Sequence, residues 1–132
     1  MLKRINLLFL VSILFILSLT LIPEHLSANC IKSGEVNLIP FRTISGLTIH
    51  YSFGGFIINN IGNIILFVPF GFLLALKFRN IDSVTKAYLV GAILSITIEI
   101  FQLFIPNRWT DIDDIILNTL GTGIGYILSK SK

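Results

Sequence analysis

The sequence predicts an all-α fold, a polytopic membrane bundle of four transmembrane helices at about residues 5–22, 56–76, 87–105 and 111–128, with both termini cytoplasmic. Three observations lead there: an excess of apolar residues, four apolar segments of near-bilayer length divided by polar stretches, and basic residues gathered on alternate connections. Of 132 residues, 54% are hydrophobic and 13% charged, and the mean hydropathy is +0.87. A soluble domain carries roughly 25% charged residues. A chain this short also lacks the interior volume to hide so much apolar surface from water, which argues against a soluble domain with a large core.

The first segment, Ile5 to Ile22, has no charge, follows Lys3 and Arg4 and is stopped by Pro23. Its 18 positions, at a rise of about 1.5 Å each, nearly match a hydrocarbon core of about 30 Å. A cleavable signal peptide is the competing reading, since a basic start and an apolar run are common to both and Leu26-Ser27-Ala28 is rich in small residues. From Pro23 to Gly55 the composition turns mixed and polar, with Glu24, His25, Lys32, Glu35, Asn37, Arg42 and His50, and reads as a loop with short interfacial structure. The second segment carries Asn59, Asn60 and Asn63 near its start and Pro69 and Gly71 in its middle, which predict a kinked helix. The third is stopped by Pro106 and Asn107. The fourth begins with acids and ends at Lys130 and Lys132, as the helix dipole favours.

Charge orients this arrangement. Lys3, Arg4, Lys77, Arg79, Lys86, Lys130 and Lys132 fall on one side, against Lys32, Arg42 and Arg108 on the other, so the positive-inside rule places 23–55 and the turn before the fourth helix outside the cell. The net charge of +3 and pI of about 9.3 come from Lys and Arg scattered in ones and twos, which makes no nucleic-acid-binding stripe. Cys30 is alone, so neither an internal disulfide nor a thiolate metal cage is open to it.

Polar residues inside the apolar segments mark the candidate site. Ser95, Glu99 and Gln102 share one helix face, and the cost of an acid in lipid turns that face into the bundle, with Glu99 about two turns below the outer surface. Asp111, Asp114, Asn118, Gly121 and Gly125, spaced three, four, three and four, make one continuous stripe. Its glycines suit close helix packing, and Pro69 and Gly71 suit a kink. Thr110 with Asp113 matches a capping box, which accounts for Asp113 as a helix-start residue. It does not account for Asp111 and Asp114 above Asn118, with Arg108 upstream and Glu99 opposite. Asn63, one turn from Asn59, supplies a third wall, and Trp109 suits the lipid interface.

The ordered set Asn37-Leu38-Ile39-Pro40-Phe41, Gly62-Asn63-Ile64-Ile65-Leu66-Phe67-Val68-Pro69-Phe70-Gly71, Ser95 with Glu99 and Gln102, then Arg108, Asp111, Asp114, Asn118, Gly121 and Gly125 resembles the VanZ-like family over about residues 35–128. The resemblance implies a bacterial plasma-membrane protein, with residues 1–132 as a single integral-membrane domain, associated with lowered susceptibility to the glycopeptide antibiotic teicoplanin. It implies no known reaction.

Three functions compete. An outward polar pocket of Asn63, Glu99, Gln102, Arg108, Asp111, Asp114 and Asn118 would engage a cell-envelope component, such as a lipid-linked wall precursor or a lipoglycopeptide. An integral membrane enzyme would use Glu99, Asp111 and Asp114 as acid and base, or to hold a divalent cation such as magnesium or calcium. A structural accessory subunit would use the stripe only to hold its helices together. The partners expected are the lipid bilayer and, for the first function, a cell-wall lipid precursor or lipoglycopeptide, with no nucleic acid, and no cofactor is expected apart from that cation.

Overall fold

The computed structural model describes residues 2–21, 36–45, 53–105, 108 and 110–131. Among them are helices α1 (Leu2–Leu21), α2 (Phe53–Lys77), α3 (Val84–Gln102) and α4 (Ile112–Lys130). Two strands of two residues each, β1 (Val36–Asn37) and β2 (Thr110–Asp111), pair in parallel, with Val36 opposite Thr110 and Asn37 opposite Asp111. The expected all-α fold is therefore present, with this short bridge added to it. Cys30, His25, His50, Pro106, Asn107 and Trp109, singled out in the sequence, lie outside the described residues.

Three helical stretches, Leu2–Leu21, Asn59–Lys77 and Val84–Gln102, are long and apolar enough to cross a membrane. The fourth helix has a comparable length of 19 residues but carries Asp113, Asp114 and Asn118, which lower its apolar character. Helix boundaries shift by a few residues from the expected ones. Ser83 in extended conformation accepts a hydrogen bond from the Lys86 amide (3.3 Å) and so starts α3 at Val84 rather than at Ala87. At its other end Phe104 and Ile105 donate to Phe101 and Gln102, three residues back, and this tightened turn ends α3 at Gln102. Glu99 consequently lies one turn below the end of α3.

The chain packs α4 against both α2 and α3, and α1 lies against α2 and, less closely, α3. The contact between α2 and α4 is made by glycine: a Cβ on Gly121 would overlap the Ile64 carbonyl, one on Gly125 the Val68 carbonyl, and one on Gly71 the backbone of Thr122. Such close approach maximises dispersion contact where lipid removes the hydrophobic drive for helices to associate. Pro69 continues α2 without an N–H, so the Ile65 carbonyl lacks its helical donor.

One end of the bundle is basic and aromatic. Phe9 stacks on Phe70 at 5.4 Å and meets Phe78 edge-on at 5.5 Å, and the Lys77 ammonium stands 4.5 Å from the centre of the Phe9 ring. This contact sets the start of α1 beside the end of α2, making the pair antiparallel. The opposite end, where α1 and α3 finish and α4 begins, collects the polar side chains.

Candidate functional site

Toward the polar end, specific hydrogen bonds tie α2 to α4, α4 to α3 and α3 to α1. Asn63 on α2 donates through Nδ2 to Oδ1 of Asp114 on α4 (2.6 Å). Asn118 on α4 donates to the Ser95 hydroxyl on α3 (2.8 Å), and both residues are buried. The Asp111 amide donates to Oε2 of Glu99 (3.0 Å), which is 3% exposed. Gln102 donates to the Thr20 carbonyl at the end of α1 (2.9 Å), and Arg108 Nη2 to the Leu19 carbonyl (2.8 Å). The positive charge of Arg108 also acts on Glu99 and Asp114.

The structure thus gathers Asn63, Glu99, Gln102, Arg108, Asp111, Asp114 and Asn118 at one end but gives them different surroundings. Both oxygens of Asp111 are occupied: Oδ1 accepts from Asn37 (3.0 Å) and from the Asp113 amide (2.9 Å), and Oδ2 accepts from the Thr43 hydroxyl. Asp111, and not Thr110, is the N-cap of α4. The Thr110 hydroxyl donates instead to the Glu99 carbonyl (3.2 Å). Among the described residues, no group of three or more His, Cys, Asp or Glu side chains is placed to hold a metal ion. Asp114 is half-buried, with one oxygen taken by Asn63.

The capping-box expectation for Asp113 is corrected. Its carboxylate is fully buried and turns away from the α4 axis to accept three backbone amides of the 36–45 loop, from Phe41 (2.6 Å), Thr43 (2.7 Å) and Ile44 (3.0 Å). The Coulomb and hydrogen-bonding benefit of three converging amides exceeds what a partly solvated first-turn position offers a carboxylate. Phe41 sits at φ 65°, a left-handed conformation costly for a residue with a Cβ, and the bond from its amide to Asp113 holds it there.

The glycine contacts join α2 to α4, and the polar motifs meet toward one end of the bundle. The VanZ/LLP1 family model matches residues 7–132. The chain belongs to the VanZ/LLP1 family. Protein VanZ of Enterococcus faecium is 33% identical to it over 121 residues, which cover 92% of this chain and 68% of that protein. No solved structure matches the chain.

For this VanZ/LLP1 member, residue-by-residue reading missed Asn37, Thr43 and the role of Asp113. Asn37 donates to both Asp111 and Thr43, so it is the hinge of the loop clamp. The available signal was the Asn37-to-Phe41 peptide, which belongs to the family resemblance although it lies in a loop without periodicity. Several buried polar atoms keep unmet hydrogen-bonding capacity: both amide atoms of Asn60, the Asn118 and Gln102 carbonyl oxygens, and the Thr119 hydroxyl.

Proposed function

We propose that this VanZ/LLP1 member is a multi-pass protein of the bacterial plasma membrane. Its four helices cross the bilayer with both termini cytoplasmic, and its polar end engages a cell-envelope component so as to lower susceptibility to teicoplanin. Family membership supports the resistance-linked role. Orientation is supported by charge: Lys3, Arg4, Lys77, Arg79, Lys86 and Lys130 belong to the basic end, whereas Arg42 and Arg108 belong to the polar end.

The observation that carries the pocket reading is the half-buried Asn63–Asp114 pair at that end. A carboxylate there is costly in apolar surroundings and is retained where it binds or organises something. Asp111 and Asp113, by contrast, are committed to the loop clamp. The experiment is susceptibility of a sensitive Gram-positive host expressing the wild type, Glu99→Gln or Asp114→Asn at matched membrane levels. Wild type should raise teicoplanin tolerance and equally abundant Asp114→Asn should not. Equal tolerance would reduce the pair to an interhelical tie.

A further inference from the structure

We propose that the groove between α1 and α2 holds one hydrocarbon chain of a membrane amphiphile. Its head, bearing hydrogen-bond donors such as hydroxyl or amide groups, would sit at Asn59, Asn63 and Asp114. The inference deepens the pocket reading and depends on it only for which leaflet faces outward.

The groove has a volume of about 400 Å³, within the range of small-ligand sites. Its apolar wall is Phe15 and Leu19 from α1 and Ile65 and Pro69 from α2, while Asn59 and Asn63 stand at one end only. From Asn59 to Pro69 the helix rises about 15 Å, half of a hydrocarbon core of about 30 Å. The groove therefore runs the depth of one leaflet, polar at the surface and apolar toward the midplane, like a lipid itself. Phe15, Leu19 and Ile65 are 56, 52 and 62% exposed, so the groove opens sideways, to where chains enter from the bilayer.

Gly62 is an independent observation. At Gly71, Gly91, Gly121, Gly123 and Gly125 an added Cβ meets a neighbouring helix, which accounts for each glycine. At Gly54, in the first turn of α2, and at Gly62 it meets nothing within 4 Å, and Gly62 lines the groove well inside the helix, where glycine is disfavoured. No close approach of protein accounts for it. What the missing side chain does preserve is open space at the top of the groove.

The mouth is rich in acceptors. Asn63 gives its amide nitrogen to one Asp114 oxygen, and among the described residues no donor meets the Asn63 carbonyl oxygen or the second Asp114 oxygen. These atoms select a head that donates. Arg108, bonded to the carbonyl of the groove residue Leu19, lies near the same rim.

The test uses the full chain in phosphatidylcholine nanodiscs containing a trace of one of two photoprobes with a diazirine at the chain terminus. One is phosphatidylglycerol, with phosphate and donating hydroxyls; the other is phosphatidylcholine, with phosphate and no donor. Labelled peptides are quantified by mass spectrometry against the lipid-exposed Ile93 face of α3 as internal reference. The phosphatidylglycerol probe should label the Phe15 and Ile65–Pro69 peptides well above the reference, and the phosphatidylcholine probe should not. Gly62→Leu, and separately Ile65→Trp, should lower groove labelling roughly tenfold by filling the seat while reference labelling stays constant. Groove labelling equal to the reference, equal labelling by both probes, or no change in two folded groove variants would overturn the proposal. Susceptibility plays no part in this readout, so its outcome separates from that of the resistance assay.

Discussion

Removing the Asp113 carboxylate should release the 36–45 loop from α4 without unfolding the helices. Asp113 accepts amides from Phe41, Thr43 and Ile44 at 2.6, 2.7 and 3.0 Å, and Asp113 and Thr43 are both buried. A hydrogen bond to a charged group contributes about 1.5–3 kcal/mol, but the three share one carboxylate and are not additive. Asp113→Asn keeps one acceptor oxygen and turns an NH2 group toward an amide, so we expect loop docking to weaken by about 2–4 kcal/mol. That is a large share of the roughly 5–15 kcal/mol that stabilises a whole domain, and the loss falls on a segment able to open locally. Amide exchange at Thr43 and Ile44 should accelerate about 30- to 700-fold, at 1.4 kcal/mol per factor of ten, while exchange in the middle of α3 and α4 stays unchanged. Trypsin should also cut faster after exposed Arg42. Exchange within twofold of wild type would refute the clamp. Phe41→Gly supplies the opposite sign: at φ 65° the loss of Cβ should firm the docked loop by about 1 kcal/mol.

Other outcomes follow from the same geometry. Gly125→Ala, which sets a methyl group against the Val68 carbonyl, should cost about 1–3 kcal/mol, whereas Gly62→Ala should gain about 1 kcal/mol of helix stability; thermal unfolding in detergent distinguishes them. Ser95→Ala leaves the buried Asn118 amide without its acceptor and should cost about 1–2 kcal/mol in the same assay. At the basic end, the hydrogen bond and charge of Lys86, 2.8 Å away, hold the Asp82 carboxyl below its usual value of 3.8. Because the folded value is the lower one, this pair helps the α3 start above the unfolded value and ceases to help as pH falls through the folded one. NMR titration of Asp82 in the wild type and in Lys86→Gln should show the midpoint rise in the variant, and identical midpoints would dismiss the pairing.

How much was legible in the sequence differs between elements. The four helices were, because an apolar run of near-bilayer length and its flanking Pro, Ser and Lys residues are local properties that carry their own periodicity. The predicted ends moved where single local bonds decide: Ser83 starting α3, the tightened turn closing it, and Asp111 displacing Thr110 as the cap of α4. Within the candidate site, the helix-face spacings of Ser95, Glu99 and Gln102 and of Asp114 and Asn118 identified residues that meet at one end. They did not identify partners. Asp111 and Asp114 look equivalent on the stripe, yet one is consumed by the loop and the other stays half-buried beside Asn63.

By itself, then, the sequence determined the solvent of this protein, its helical class and its family, since composition, segment length and ordered motifs are carried by the chain whatever its folding. Only the tertiary structure decided which acid does what. The bonds from Asp113 to Phe41, Thr43 and Ile44 join residues about 70 positions apart, and the groove beside Gly62 exists only between two helices. No periodicity encodes either, because a hydrogen bond between distant segments and an empty space between helices are properties of packing rather than of any stretch of sequence.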